Sequence, residues 1–572
     1  MCGARQGPGG TRGGAGPAGT LARVTPAELA ALIRSLLLDA VADGSLALSA
    51  EDIGEVKVER PRQREHGDWA TNVAMQLAKR AGTNPRALAE QLAGRLAGAP
   101  GIAAAEVAGP GFLNVRLEAG AAGELARSIV EAGESYGRND ALAGRVVNLE
   151  FVSANPTGPL HIGHTRWAAL GDSLVRLLRA AGADVTPEYY INDAGAQMDK
   201  FGASVLARAT GTEVPEDGYR GEYVTQLAEK VLAERPDLPD LPADEALAVA
   251  RETGYRLQLA EIQQVLAEFE VHFDVYFSER ELHDSGAVET AVARLREQGH
   301  VYDADGAVWL RTTDFGDDKD RVLIRADGTP TYFAADAAYY LSKKDRGFPE
   351  KIYLLGADHH GYVNRLKAIA ACAGDDPEVN IEVLIGQLVS VAGARLSKRA
   401  GNIIELSDLI EWIGTDPVRY TLARFPADSP LSLDGEKLRE KNMDNPVYYV
   451  QYAHARIRNV SRNAAQHGVR REDAFDPTLI GGEADSVLLG HLAGFPDVVA
   501  RAARLREPHR VARYLEDLAA AYHKWYDQSR VSPRGDDPVE DVHRTRLWLN
   551  DATGRVIANG LHLLGVTAPE RM

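Results

Sequence analysis

The chain has 572 residues, 45% of them apolar and 26% charged, a mixture that excludes a collagen-like repeat and a wholly disordered polymer. Lys and Arg number 64 against 82 Asp and Glu, so the formal net charge is −18. That balance excludes a generic basic nucleic-acid coat and leaves room for a specific nucleic-acid partner held on a local basic face. No window offers the roughly 18 unbroken apolar residues of a membrane span. Cys2 and Cys372 cannot build a disulfide framework or a Cys-x-x-Cys zinc site. With no secretory signal at the start, a reducing cytoplasm is the expected location. At about 150 residues per domain, three or four domains are expected.

Residues 1–20 are Gly-rich and lack aromatic and large aliphatic residues, so they are expected to form a disordered tail. Thr25-Pro26 has the pattern of a helix start, and Leu29, Leu32, Ile33, Leu36 and Leu37 recur at helical spacing. Short apolar runs at 56–58 and 112–117 read as strands, with a helix-like stretch near 70–80 between them. Residues 21–120 are therefore expected to form a small α+β domain. VVNLEFV, from Val146, reads as a strand covered on both faces. A Pro/Gly-rich loop, a helix over about 163–181 and a strand at 185–191 follow. Further strands are expected at 307–311, 322–325, 352–355 and 381–391, with helices between them. This alternation predicts a Rossmann-type α/β domain with a parallel sheet over 121–405, interrupted by a mostly helical insertion at about 205–270. Beyond 405 the strand signals vanish, so 406–572 is expected to be an all-α bundle.

The most informative segment is EFVSANPTGPLHIGH, Glu150 to His164, which joins the first buried strand to a helix. Such a loop lies at the carboxyl edge of a parallel sheet, where these folds bind nucleotides. The helix N-terminus presents free N–H groups to phosphate. Gly158 and Gly163 permit close backbone approach, and His161 and His164 can donate to phosphate oxygens as charge shifts. A His at a helix start can also be a cap and nothing more. A second candidate is ARLSKRAGN, residues 394–402, a cationic segment directly after the last strand; a solvated basic turn is its plainer reading.

The first segment resembles the HIGH signature of class I aminoacyl-tRNA synthetases, and the second resembles their KMSKS-type loop. In the second, Arg395, Leu396 and Arg399 stand where that pattern has Lys, Met and Ser. The two lie about 230 residues apart in the family's order. HGDWATNVAMQLAK, GPGFLNVRL, YYINDAGAQM, TYFAADAAYY, GADHHGY, NPVYYVQYAHARI and the closing APERM are similar to arginyl-tRNA synthetases, over nearly the whole chain from residue 66.

The resemblance implies that arginine is joined to tRNA(Arg) through an arginyl-adenylate, with ATP as co-substrate and Mg²⁺ arriving with it. His161, His164 and Lys398 would be catalytic. Pro156, Gly158, His161, Gly163, His164, Arg395, Ser397 and Lys398 would contact ATP. Asp336 would pair with the guanidinium and Tyr332 line the side-chain pocket. Glu150 and Asn155 would hold the α-amino end, with Ser153 also among the arginine contacts. One or more of Asp358, His359 and His360 would complete the set. A guanidinium is planar and always charged, so carboxylates and an aromatic suit its pocket. Phe112 and Asn114 match positions that contact the outer corner of tRNA, although Phe112 fits a core equally well. Tyr448, Tyr452 and Arg456 suit anticodon stacking and phosphate contact. The expected protein is a cytoplasmic monomer without a resident metal. Two other readings stay open: a class I synthetase for another amino acid, and a HIGH-motif nucleotidyltransferase acting on a small molecule.

Overall fold

The computed structural model describes residues 25–61, 63, 66–392 and 404–572, so the expected tail at 1–20 and the cationic segment at 394–402 lie outside the described residues. The chain divides into two compact units. One holds the residues up to 132 with 461–494 and 524–552, and the other holds 133–460, 495–523 and 553–572.

The first unit begins with α1 (Pro26–Ala42). Its start is closed by a reciprocal cap: Thr25 Oγ1 accepts from the Glu28 amide at 3.2 Å, and the Glu28 carboxylate accepts from the Thr25 amide at 2.9 Å. Leu29, Ile33 and Leu37 form its buried stripe. After β1 (Trp69–Thr71), α2 (Val73–Leu77) and α3 (Pro85–Leu96) come β2 (Ile102–Ala108) and β3 (Phe112–Leu117), followed by α4 (Ala119–Ala132). The three strands form an antiparallel sheet in the order β1-β3-β2. Two expectations fail here. Residues 56–58 form no strand, since the ladder reaches only Glu59 through a single bridge to Ala70. The strand β2 was not anticipated, because IAAAEVA is mostly alanine and has little of the β-branched bulk that marks a strand.

The second unit is built on five parallel strands. β4 (Val146–Glu150), α5 (Ile162–Ala180), β5 (Asp184–Ile191), the helices α6 (Ala196–Thr210), α7 (Glu222–Glu234) and α8 (Ala243–Glu268), and β6 (Val275–Ser278) make its first half. Met198, Phe201, Val224, Leu227, Val231 and Ala250 give those three helices a core of their own. The chain continues through α9 (Glu279–Asp284), α10 (Ala287–Glu297), β7 (Val301–Ala304), β8 (Ala307–Leu310), β9 (Arg321–Ile324), α11 (Tyr332–Asp345), β10 (Glu350–Gly356), α12 (Val363–Cys372), β11 (Ile381–Gly386) and β12 (Val389–Ala392).

The sheet order is β11-β10-β4-β5-β6, all parallel. β5 and β6 follow outward on one side of β4, and β10 and β11 lie on the other. The switch in direction falls between β4 and β10, where such sheets open a crevice at their carboxyl ends. The expected strands at 307–311 and 322–325 exist, but with β7 they form a separate antiparallel sheet. The expected strand at 381–391 divides at Gln387 and Leu388. β12 leaves the sheet and pairs in parallel with β13 (Leu431–Asp434), a strand in the region expected to be wholly helical. Four long helices, Pro446–Gln466, Glu483–Leu505, His509–Gln528 and Asp541–Leu563, carry most of the rest.

Candidate functional site

β4 delivers Glu150 to the crevice, and just beyond Phe151 two residues take a conformation that side chains rarely adopt, with φ 66° at Val152 and 43° at Ser153. The kink turns Ser153 back: its Oγ donates to Glu150 Oε1 at 3.1 Å and accepts from the Tyr190 amide at 3.1 Å. The loop ends at His161, the cap of α5. His161 Nδ1 accepts from the Gly163 amide at 3.1 Å, and the His161 amide donates to His164 Nδ1 at 3.3 Å. With both Nδ1 atoms accepting, the proton of each neutral ring resides on Nε2. The two rings lie 3.9 Å apart between centroids. Burial pulls both pKa values down, His164 to about 4 with a further push from His161, so both are neutral donors at neutral pH.

These residues open on a cavity of about 940 Å³. His161, Gly163, His164 and Trp167 line it, together with Gly386, Gln387, Leu388 and Val389 beyond β11. Glu150, Ser153, Asn155, Tyr332, Asp336 and His359 line it as well. Asp336 therefore shares one cavity with His164. Tyr362 Oη donates to Asp336 Oδ2. Burial, then Glu279, then Glu150 push the Asp336 carboxyl up to about 8, against a pull from Arg365. Asn155 Nδ2 donates to Gln197 at 2.9 Å, and Tyr332 is largely exposed at the rim.

Glu150 is tied more firmly than the sequence suggests. Its Oε2 accepts at 2.6 Å from Lys343, a fully buried ammonium that sits 4.4 Å and 4.0 Å from the ring centres of Tyr339 and Tyr353. Glu279 is a further cavity residue that sequence reasoning missed. It is 3% exposed, its Oε2 makes no hydrogen bond among the described residues, and burial pushes its pKa up. It directly follows β6, so reading that strand would have put Glu279 at the sheet's carboxyl edge.

Other candidates fall elsewhere. Pro156 and Gly158 do not line the cavity; a Cβ at Gly158 would lie 3.2 Å from Tyr223 Oη, which donates to Thr157 O, so this glycine makes room for packing. Lys398, Arg395 and Ser397 lie outside the described residues. Both flanks of their segment are nonetheless placed. Val389 on β12 lines the cavity, and the Ile162 amide donates to Ile404 O at 2.9 Å while the Leu406 amide donates to Leu160 O at 2.8 Å. In the first unit Phe112 is exposed and Asn114 buried, so the core alternative for Phe112 falls. On the helix Pro446–Gln466, the rings of Tyr448 and Tyr452 are stacked, 6.0 Å apart at 13°. Arg456 lies 4.9 Å over Tyr452 and donates to its hydroxyl at 3.0 Å.

Three family models match the chain: the arginyl tRNA synthetase N terminal domain over residues 27–117, the class I (R) tRNA synthetase catalytic domain over 127–213 and 244–415, and the DALR anticodon binding domain over 450–572. The arginine–tRNA ligase of Paenarthrobacter aurescens (strain TC1) is 67% identical over 550 residues, 96% of this chain and 100% of that protein. The chain belongs to the arginyl-tRNA synthetase family. The arginine–tRNA ligase of Pseudarthrobacter chlorophenolicus, another family member, is 65% identical over 96% of this chain and the whole of that protein. The solved arginyl-tRNA synthetase of Thermus thermophilus, 24% identical, shares the fold with a TM-score of 0.72, covering 95% of this chain and 100% of that one. Among the described residues no helix is long and apolar enough to cross a membrane, and no group of three or more His, Cys, Asp or Glu side chains is placed to hold a metal.

Proposed function

We propose that the cavity joins L-arginine to ATP and then to the end of tRNA(Arg), with the residues divided between two halves. One observation carries this reading: Asp336, with Glu279 and Glu150 nearby, opens into the same cavity as the His161–His164 cap. The carboxylates supply a pocket for a cation, and Asp336 and Glu279 would face the guanidinium. Glu150, its charge answered by Lys343, is suited to a shorter-range contact with the α-amino end alongside Ser153 and Asn155. Tyr332 would cover the side chain from the rim, and His359 would close the wall beyond β10.

At the other half, the arginine carboxylate attacks the α-phosphorus of ATP, and pyrophosphate leaves with the P–O bond electrons. The Nε2–H groups of His161 and His164 and the N-terminus of α5 stabilise the charge that builds on the phosphate oxygens. These donors are fixed before the substrate arrives, since each ring is held through Nδ1. Lys398, with Arg395 and Ser397, would meet the leaving group. Mg²⁺ brought in with ATP would supply screening of the phosphate charge. A ribose hydroxyl of the terminal tRNA nucleotide then attacks the activated carbonyl and displaces AMP. Positioning and preset electrostatics account for most of the rate.

Recognition of tRNA away from the cavity would use Phe112 with Asn114 at the outer corner. The Tyr448, Tyr452 and Arg456 stripe would take the anticodon by stacking and phosphate contact. The enzyme would act as a monomer in the cytoplasm, which gel filtration and cell fractionation can test. Pyrophosphate exchange with each amino acid in turn, with and without total tRNA, tests the reaction. Exchange dependent on arginine is expected; exchange driven by another amino acid, or needing none, would refute the assignment.

A further inference from the structure

Arg166 is fully buried two residues beyond His164; Asp428 answers its charge through space, while its hydrogen bonds all go to backbone carbonyls. Its Nη1 donates to Gln387 O at 2.9 Å and Ser429 O at 2.8 Å, and its Nη2 to Pro426 O at 2.7 Å; its Nε is unsatisfied. Burying a cation whose only hydrogen-bond acceptors are backbone carbonyls is expensive, and an apolar side chain of similar volume would fill the space at less cost. What the guanidinium adds is shape. A planar fork holds two loops at once in one fixed geometry, whereas an ammonium is a compact point charge on a flexible stem.

The adjacent residue completes the arrangement. The Trp167 ring lies so close to Gly386 that a Cβ there would come within 1.5 Å of the indole. Gln387 is anchored a second time, its amide donating to Ala427 O at 2.9 Å. Arg166 and Trp167 thus clasp residues 386 and 387 against α5, the helix whose first turn carries His161 and His164. Residues 386–389 all line the cavity.

We infer that Arg166 is a positioning residue for the ATP half of the site, holding the 386–389 wall at a fixed distance from the His161–His164 cap. The inference rests on the reading of that half as the ATP side. It contacts no substrate; it acts through the backbone at Gln387 and through the loop at 426–429.

The test uses the full-length protein with tRNA in arginine-dependent pyrophosphate exchange, comparing Arg166→Lys, Arg166→Met and Trp167→Phe. Arg166→Lys keeps the charge and loses the fork, so it should raise the ATP KM about tenfold while the arginine KM stays within about twofold. Trp167→Phe should shift the ATP KM in the same direction and by less. Arg166→Met should exceed both; should it not fold, the other two decide. Amide hydrogen exchange should speed up at residues 387–392 in Arg166→Lys and stay unchanged along α11. Equal shifts in both KM values, an unmoved ATP KM, or unaltered exchange at 387–392 would overturn the inference. Wild-type exchange that does not depend on arginine would instead remove the parent reading, and the two failures are thereby distinguishable.

Discussion

The two halves of the cavity handle charge in opposite ways. The half around Asp336 gathers Glu150, Glu279 and Asp336, and burial, reinforced by repulsion from Glu279 and Glu150, pushes the Asp336 carboxyl up to about 8. The half around His164 presents neutral donors, with His164 pulled down to about 4. The first half is unfavourable until a cation arrives; the second is settled before any phosphate enters. A pocket that pays in folding stability for affinity selects by charge, whereas a set of fixed neutral donors favours charge that develops during reaction.

The sharpest way to break this contrast is Asp336→Asn. Removing one partner of a buried charged pair costs about 3–5 kcal/mol, so kcat/KM for arginine should fall roughly 10³-fold with the ATP KM little changed. The same substitution should raise the melting temperature of the substrate-free protein, because it deletes a carboxyl that folding holds in an unfavourable place. A rise in both KM values of similar size, or a lower melting temperature, would erase the distinction.

His164→Ala should lower kcat about 10²-fold, within the range for one lost donor to a transition state, and leave the arginine KM alone. The Nδ1 contact also caps α5, so His164→Asn, which can keep a cap acceptor, separates chemistry from packing: melting temperature recovers and kcat does not. Glu279→Gln should raise the arginine KM roughly tenfold or more and barely touch kcat, as expected of a contact made equally in ground and transition states.

The contrast also predicts a pH dependence. In the empty site Asp336 holds its proton below about 8, and a guanidinium favours the carboxylate. Arginine binding should therefore release a proton, and affinity should weaken as pH falls from about 8 toward 6, by at most about tenfold per unit. Calorimetry in buffers of different ionisation enthalpy counts that proton. The ATP KM should change little over the same window, since His164, held down to about 4 by burial, stays neutral throughout it. Asp336 also lowers stability as pH rises: its folded pKa lies above the unfolded value, so the penalty is absent at acid pH and full once pH exceeds about 8.

Legibility followed bulk and length. β4 and α5, with their strong apolar runs and a Pro/Gly loop between them, could be read nearly to the residue, and the parallel sheet with its helical layers followed from the alternation. β6 escaped because four residues, VYFS, sit between a long acidic helix and a run of charges. That omission hid Glu279, whose meaning comes from standing at a strand's carboxyl edge and not from any motif. β13, LSLD, was hidden for the same reason. Lys343 lies near the end of an alanine-rich helix and looks like a solvated residue; its burial between Tyr339 and Tyr353 is a tertiary fact with no local signal. The strands at 307–311 and 322–325 were visible, but their pairing into a separate sheet is set by β7 and the antiparallel register.

The most direct test of the central claim compares arginine with citrulline, which keeps the shape and replaces the guanidinium with a neutral urea. In arginine-dependent pyrophosphate exchange with tRNA present, kcat/KM for citrulline should be lower by roughly 10³-fold or more, since its neutral head leaves the pocket's carboxylates without a cation. Citrulline used within about tenfold of arginine would show that the carboxylates around Asp336 do not select the substrate.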